Sequence, residues 1–238
     1  SIEFNQFNNG IDPYIEKEGV YRRAFLSMQD STYQPYSIKL PDGYTAKKKY
    51  PLLVFLHGSG STDEGLLNFP RSTGDFIEIA PYGRDMFRAY ASEKSQRDIV
   101  EAIENVQRHF SVDSNNIIVG GFSMGGYGAL RTFYENPELY KGVVVHAGHP
   151  NLANYWLGPG FPNFLNEKYL EPFKGKRVFV YHGTKDGSLP VKLAKELIAK
   201  MQAMEIEVTE AIVEGSGHQY PNEATNNLYF EWLNKTIQ

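Results

Sequence analysis

A serine lies among closely spaced glycines in residues 119–130, which read Val-Gly-Gly-Phe-Ser-Met-Gly-Gly-Tyr-Gly-Ala-Leu. Gly121, Ser123 and Gly125 form a Gly-x-Ser-x-Gly pattern with an apolar run before it and an apolar helical pattern after it. In that context the serine is expected on a sharp strand-to-helix turn that projects its hydroxyl above a sheet. Ser123 is therefore the predicted nucleophile. The alternative is a phosphate-binding turn, but neither a third glycine at dinucleotide spacing nor a Gly-Lys-Ser/Thr sequence is present.

An attacking serine needs a histidine to accept its proton and a carboxylate to hold that histidine in the right tautomer. In enzymes with this turn, the acid and then the histidine follow the serine along the chain. After Ser123 the sequence has one aspartate, Asp186, and after Asp186 it has one histidine, His218. We predict that these three form a catalytic triad. The alternatives are a helix-capping role for Asp186, an ordinary loop position for His218, and a rival acid such as Glu210 or Glu214.

The remaining histidines have other predicted roles. His57 ends an apolar run and opens the sequence His-Gly-Ser-Gly, which looks like a loop that supplies an oxyanion hole. The predicted donors are the backbone N–H groups of Ser59 and Met124, and His57 is expected to be structural rather than catalytic. His146 and His149 could be interpreted as a metal pair, but no third ligand at suitable spacing accompanies them. Neither a metal nor an organic cofactor is predicted.

Hydrophobic periodicity indicates the elements that must position these residues. The first forty residues predict antiparallel strands at 21–28 and 36–40. Short continuous apolar runs, typical of strands buried on both faces, follow at residues 51–56, 76–80, 117–119, 142–145, 178–181 and 208–213. Apolar residues at helical spacing lie between them and near the end of the chain, at residues 99–110, 191–201 and 228–233. This alternation predicts an α/β fold with a mostly parallel, doubly wound sheet, whose ligands bind at the carboxyl ends of the strands.

Composition narrows the class of protein. The 238 residues are 41% hydrophobic and 22% charged, which suits one domain over residues 1–238 with a sizeable core. The net charge of −4 argues against nucleic acid as a partner, and the apolar runs are too short for a membrane span. The absence of cysteine excludes a thiol nucleophile, disulfides and a thiolate zinc site. The chain begins at Ser1 with no basic-then-apolar leader, so we expect that any signal peptide was removed or never existed, and the compartment stays open.

With these motifs the chain resembles the α/β-hydrolase superfamily, and within it the group that includes feruloyl and acetyl xylan esterases. The resemblance runs from about Tyr33 to the end and includes the Pro-Tyr-Gly-Arg sequence at residues 81–84. It implies a serine carboxylesterase that needs no cofactor and acts on a small-molecule or carbohydrate-linked ester. Peptidases of the prolyl oligopeptidase type share much of this catalytic domain but carry a propeller, for which we expect 238 residues to leave no room.

The segment at residues 148–174 bears on the substrate, because it is rich in aromatic residues and prolines and leaves the carboxyl edge of the sheet. We interpret it as a small aromatic cap and predict that Tyr155, Trp156 and Phe161 bind substrate. The alternative is that its rings form a satellite core over the sheet edge.

These residues predict acyl transfer to water through an acyl-enzyme, with short-chain or aromatic, feruloyl-type esters as substrates. Two alternatives remain open: an acyltransferase to a sugar or lipid acceptor, and a catalytically silent hydrolase fold that serves as a binding module. The presence of Ser123, Asp186 and His218 together argues against the silent module. The sequence does not indicate the oligomeric state.

Overall fold

The computed structural model describes residues 5–6, 8–15 and 17–238, so parts of the predicted domain over residues 1–238 lie outside the described residues. The strands are β1 (Val20–Leu26), β2 (Tyr33–Lys39), β3 (Tyr50–Leu56), β4 (Ile77–Pro81), β5 (Val112–Phe122), β6 (Gly142–His146), β7 (Arg177–Gly183) and β8 (Glu207–Val213). Within the described residues they form one sheet in the order β1-β2-β4-β3-β5-β6-β7-β8.

The sheet is parallel from β4 to β8 and antiparallel at its N-terminal edge. β1 pairs antiparallel with β2, and β2 pairs antiparallel with β4. The pairs β3–β4, β3–β5, β5–β6, β6–β7 and β7–β8 are all parallel. The mostly parallel sheet with antiparallel N-terminal strands is therefore confirmed.

Helices cover both faces of the sheet. They are α1 (Glu93–His109), α2 (Met124–Glu135), α3 (Leu152–Leu157), α4 (Val191–Ala203) and α5 (Glu223–Thr236). Apolar side chains of α1, α2 and α4 belong to the core on one face, whereas those of α5 belong to the core on the other. Because both faces of the sheet are covered, the central strands carry continuous apolar runs, and all five residues of β6 are buried. None of the described helices is long and apolar enough to cross a membrane.

Two local details differ from what hydrophobic periodicity indicates. β5 begins at Val112, five residues before the predicted start, because residues 113–116 are polar and periodicity does not detect them. Leu228, which helical spacing groups with the apolar residues of the last helix, is exposed. The buried face of α5 is made by Tyr229, Trp232 and Leu233.

The pairing of the strands aligns their carboxyl ends at one edge of the sheet. Leu56 lies opposite Gly121, and Phe122 lies opposite His146. The loops after β3, β5 and β6 therefore start side by side, and the predicted oxyanion loop, nucleophile and cap segment leave the sheet as neighbours.

Candidate active site

Ser123 sits on a strained turn between β5 and α2. Its φ is 57° and its ψ is −115°, a conformation that a residue with a side chain adopts at an energetic cost. The turn is held by the Ser123 amide, which donates to the His146 carbonyl at 2.8 Å. A Cβ at Gly121 would collide with the Gly125 carbonyl, and one at Gly125 would collide with the Leu56 carbonyl. Both glycines are thus required by close backbone approach.

The three residues predicted as a triad lie in one chain of hydrogen bonds. His218 Nε2 is 2.9 Å from Ser123 Oγ, and His218 Nδ1 is 2.7 Å from Asp186 Oδ2. Asp186 follows β7 and His218 follows β8, so loops from three strand ends meet at this point. The arrangement has the geometry of a nucleophile, a base and an orienting acid.

Asp186 is held as a carboxylate by its surroundings. Its Oδ1 accepts the amides of Ser188 at 2.9 Å and Leu189 at 2.8 Å. Burial on its own would raise the pKa of Asp186, but the hydrogen bonds from Leu189, His218 and Ser188 outweigh burial and bring the pKa below its ordinary value. The group therefore stays negative and can stabilise a positive imidazole.

A second histidine, which the sequence analysis did not assign to the site, also contacts this carboxylate. His182 Nε2 lies 3.2 Å from Asp186 Oδ2 and 2.8 Å from the Leu189 carbonyl. A carbonyl only accepts, so Nε2 carries the proton and is shared between the two oxygens. Burial lowers the pKa of His182 and keeps the ring neutral. The available signal was the position of His182 near the carboxyl end of β7, four residues before Asp186.

The predicted oxyanion loop lies against the serine. Gly58 is so close to Ser123 that a Cβ at Gly58 would be 3.5 Å from the serine Cβ. Among the turns and loops of the described residues, neither the Ser59 amide nor the Met124 amide donates to a backbone carbonyl, and their assignment as oxyanion donors stays a prediction. His57 is buried, and its ring nitrogens face the carbonyls of Gly58 at 2.9 Å and Tyr82 at 2.8 Å. His57 thus connects the loop after β3 to the Tyr82 backbone through a hydrogen bond.

Two stacked aromatic rings lie beside His218, and one of them, Phe122, contacts its ring. Phe122 lies 5.0 Å from the His218 ring, and Tyr220 stacks on Phe122 at 4.1 Å. Sequence reasoning missed both, because only the fold brings Phe122, which precedes the nucleophile, next to Tyr220, which lies two residues after the base.

The aromatic residues of the 148–174 segment divide into two groups. Phe164 and Phe173 are fully buried, and Phe173 packs 4.4 Å from Phe133 of α2. Tyr155 and Trp156 on α3 are exposed, and Tyr155 stacks on His149 at 5.8 Å. The segment thus includes a satellite core together with a solvent-facing pair of rings.

The predicted substrate-binding residues are spread along this segment. Phe161 is half-buried and packs against the core. Among the described residues, no hydrogen bond or ring contact joins Tyr155, Trp156 or Phe161 to the triad residues. Their assignment to substrate therefore stays a prediction.

His146 and His149 face different surroundings. The His146 ring is fully buried among four aromatic rings, and no described residue partners either ring nitrogen. These rings belong to Phe55, Phe179, Tyr181 and Tyr229. Burial lowers the pKa of His146 to about 3. His149 Nδ1 instead accepts the Asn151 amide at 3.0 Å.

This burial predicts a pH-dependent effect of His146→Phe. The folded protein keeps His146 neutral down to about pH 3, whereas an unfolded chain protonates it below about 6.5. Unfolding therefore takes up a proton between these values, and the wild type loses stability as the pH falls through this window. Relative to the wild type, the free energy of unfolding of His146→Phe should rise by about 2 kcal/mol between pH 7 and pH 5. Urea unfolding at both pH values measures this.

The exposed His109 offers a matched control for that experiment. His109→Phe should shift the stability difference far less between the two pH values. A His146→Phe difference that is the same at pH 7 and pH 5 would contradict the buried, neutral imidazole.

Comparison with known proteins shows the family to which the chain is similar. The model of the prolyl oligopeptidase family matches residues 84–237, which is more than half of the chain. A probable feruloyl esterase C of Aspergillus flavus is 26% identical over 123 residues, covering 48% of this chain and 46% of that protein. Dipeptidyl-peptidase 5 of Schizosaccharomyces pombe is 25% identical over 173 residues, covering 50% of this chain and 25% of that protein. The chain thus matches about half or less of the length of these curated relatives.

A solved structure resembles nearly the whole chain. A ferulic acid esterase of the anaerobic fungus Anaeromyces mucronatus has a TM-score of 0.72 at 19% identity, covering 95% of each chain. The same enzyme has also been solved in complex with ferulic acid. The likeness confirms the predicted α/β-hydrolase fold.

Proposed function

The chain belongs to the prolyl oligopeptidase family, and from this premise we propose that it is a serine carboxylic ester hydrolase. The observation that supports this most strongly is the hydrogen-bond chain from Ser123 through His218 to Asp186. The likeness to feruloyl esterases supports an ester as the substrate.

The proposed reaction begins with attack of Ser123 Oγ on the ester carbonyl carbon. His218 Nε2 takes the serine proton, and the Asp186 carboxylate stabilises the resulting imidazolium. The carbonyl oxygen becomes an oxyanion, which accepts hydrogen bonds from the Ser59 and Met124 amides. The tetrahedral intermediate collapses to an acyl-enzyme, and His218 returns the proton to the departing alcohol oxygen.

Water then completes the cycle. His218 takes a proton from water as the water oxygen attacks the acyl carbonyl, and the same amides receive the second oxyanion. Breakdown of that intermediate releases the acid and returns the proton to Ser123. His182 acts in this scheme as a positioning residue, because its Nε2–H fixes the Asp186 oxygen that faces His218.

We propose short-chain or aromatic acyl groups as substrates, because the 148–174 segment lacks the freedom of a mobile lipid lid. Tyr127 on α2 donates to the Pro162 carbonyl at 2.9 Å, and Asn154 bonds to both backbone groups of Phe161. The Tyr127 hydrogen bond and the packing of the buried Phe164 against Tyr127 fix the segment to α2, and the Asn154 bonds hold it together internally. The exposed Tyr155 and Trp156 rings offer flat apolar surface to an aromatic acyl or phenolic group.

This assignment predicts a selective effect of Trp156→Ala. A ring contact contributes about 0.5–1.5 kcal/mol beyond area burial, so kcat/KM for methyl ferulate should fall by about 2-fold to 13-fold. Hydrolysis of p-nitrophenyl acetate should change less, because its acyl group has no ring. Comparing the two esters in the wild type and the variant measures this. Leu157→Ala, which removes a neighbouring exposed side chain without a ring, is the matched control.

Equal losses on both esters would contradict the assignment of Trp156 to the acyl group. Faster turnover of palmitoyl than of feruloyl or acetyl esters would overturn the proposed substrate class.

A second candidate function is peptide hydrolysis, favoured by the family match and by the similarity to a dipeptidyl-peptidase. The same nucleophile and base would attack an amide. A panel of p-nitrophenyl esters and dipeptidyl p-nitroanilides, measured on one preparation, separates the two. Esterase activity without p-nitroanilide cleavage supports the first proposal, and preferential p-nitroanilide cleavage supports the second.

A further inference from the structure

A cavity separate from the candidate active site lies on the sheet face that α5 covers. Its volume is about 330 Å³, near the lower end of the range for small-molecule pockets. The lining comes from the loop before β4, the end of β6, the loop after His218 and α5. It consists of Phe69, Pro70, Arg71, His146, Tyr220, Pro221, Asn226 and Tyr229. Ser123 and His218 are not part of this lining.

Buried polar atoms at this cavity have no partner among the described residues. They are both ring nitrogens of His146, which is 2% exposed, and the hydroxyl of Tyr229, which is 1% exposed. A buried polar atom without a hydrogen bond is costly, and native structures retain few of them. The neutral His146 ring has one N–H to donate, and the Tyr229 hydroxyl can also donate. Because His146 and Tyr229 line the cavity, an acceptor group bound in it could satisfy these atoms.

Arg71 adds a buried positive charge that forms no salt bridge within the described residues. It is 7% exposed, and its guanidinium is stacked 5.1 Å from the Phe55 ring and 4.2 Å from the Tyr220 ring. Its Nε donates to the Leu66 carbonyl at 2.9 Å, and no carboxylate of the described residues lies within 4.0 Å of it. The nearby acid is Glu78, whose pKa is raised by burial, although its hydrogen bond from Ser72 and the charge of Arg71 act in the opposite direction.

The rest of the wall is flat and apolar. Phe69, Tyr220 and Tyr229 present rings, and Pro70 and Pro221 present small rigid surfaces. Such walls favour a flat hydrophobic body, whereas Arg71 and the free donors favour an anionic acceptor at one end.

We propose that this cavity is a binding site for a small aromatic carboxylate, with the carboxylate at Arg71, His146 and Tyr229 and the ring between the aromatic walls. The site is separate from Ser123 and does not depend on the proposed esterase activity. It adjoins the active site, because Tyr220 lines the cavity and also stacks on Phe122, which supports His218.

Calorimetric titration of the full chain with 4-iodobenzoate at pH 7.5 tests the proposal. The neutral 4-iodobenzamide should bind at least about 10-fold more weakly, because it lacks the charge that Arg71 recognises. Arg71→Met should weaken iodobenzoate by at least about 10-fold, and His146→Phe by at least about 3-fold. Trp156→Ala, on the active-site side, should leave affinity within about 2-fold.

The iodine atom also locates the ligand, because its anomalous signal in a co-crystal should lie within this cavity, at the end of the ring opposite Arg71 and His146, and away from Ser123. Circular dichroism of each variant guards against misfolding. If Arg71→Met does not fold, then His146→Phe and the benzamide comparison still decide the question. Absence of binding to the wild type, equal affinity for the benzamide, or a larger loss in Trp156→Ala than in His146→Phe would overturn the proposal.

Discussion

Replacing Ser123 with alanine is expected to lower kcat/KM for p-nitrophenyl acetate by at least about 10³-fold. The loss should be this large because Ser123 Oγ lies within hydrogen-bond distance of His218 Nε2, at 2.9 Å, and is the proposed nucleophile that forms the covalent bond. Activity that remains would come from the oxyanion donors acting on water. Steady-state rates at several substrate concentrations, on a preparation free of host esterases, measure the change.

The fold should survive this substitution. The backbone hydrogen bond from residue 123 to the His146 carbonyl does not involve the side chain, and alanine adds no atom to the crowded turn. Ser61→Ala, in the exposed part of the loop after β3, is a matched control that should keep wild-type turnover. Turnover of Ser123→Ala near that of the wild type would remove the serine from the mechanism.

Replacing Asp186 with asparagine should lower kcat by about 10³-fold to 10⁴-fold, as expected when a triad loses its orienting carboxylate. The structure gives a specific reason. One carboxylate oxygen accepts two backbone amides, so the amide oxygen of an asparagine would take that position and its NH₂ would face His218 Nδ1. His218 would then carry its proton on Nε2 and could not accept the proton of Ser123. Measuring kcat on p-nitrophenyl acetate tests this.

The control for the acid is Glu210→Gln. Glu210 is exposed on β8, beside the strand that leads to Asp186, and it contributes no hydrogen bond to His218. The variant should retain wild-type kcat. A greater loss in Glu210→Gln than in Asp186→Asn would show that the wrong acid has been chosen.

The central strands could be predicted from the sequence because they are buried on both faces. Continuous apolar runs marked β3 and β6 to within a residue at each end. The start of β5 could not be found in this way, because residues 113–116 are polar. This part of β5 pairs with β3 through an irregular register at Tyr50. Leu228 lies in the predicted last helix but is exposed, because periodicity finds an apolar stripe without fixing which residue at its margin faces the core.

The three residues of the candidate triad could be predicted from the sequence, because their order along the chain restricts the choice. A Gly-x-Ser-x-Gly turn followed by one aspartate and one histidine leaves few combinations. What the sequence could not supply were contacts between residues that are distant along the chain. The support of His218 by Phe122 and Tyr220, and the convergence of Arg71 with His146, depend on how the sheet and α5 pack. The contact of His182 with Asp186 depends on how the loop after β7 turns back.

Covalent labelling with a fluorophosphonate tests the central claim most directly, because it requires a nucleophilic serine activated by its base. We predict that one equivalent reacts, that peptide mass spectrometry finds the phosphonate on Ser123, and that Ser123→Ala and His218→Ala take up none in the same time. No labelling of the folded wild type, or labelling at another residue that persists in Ser123→Ala, would contradict the account.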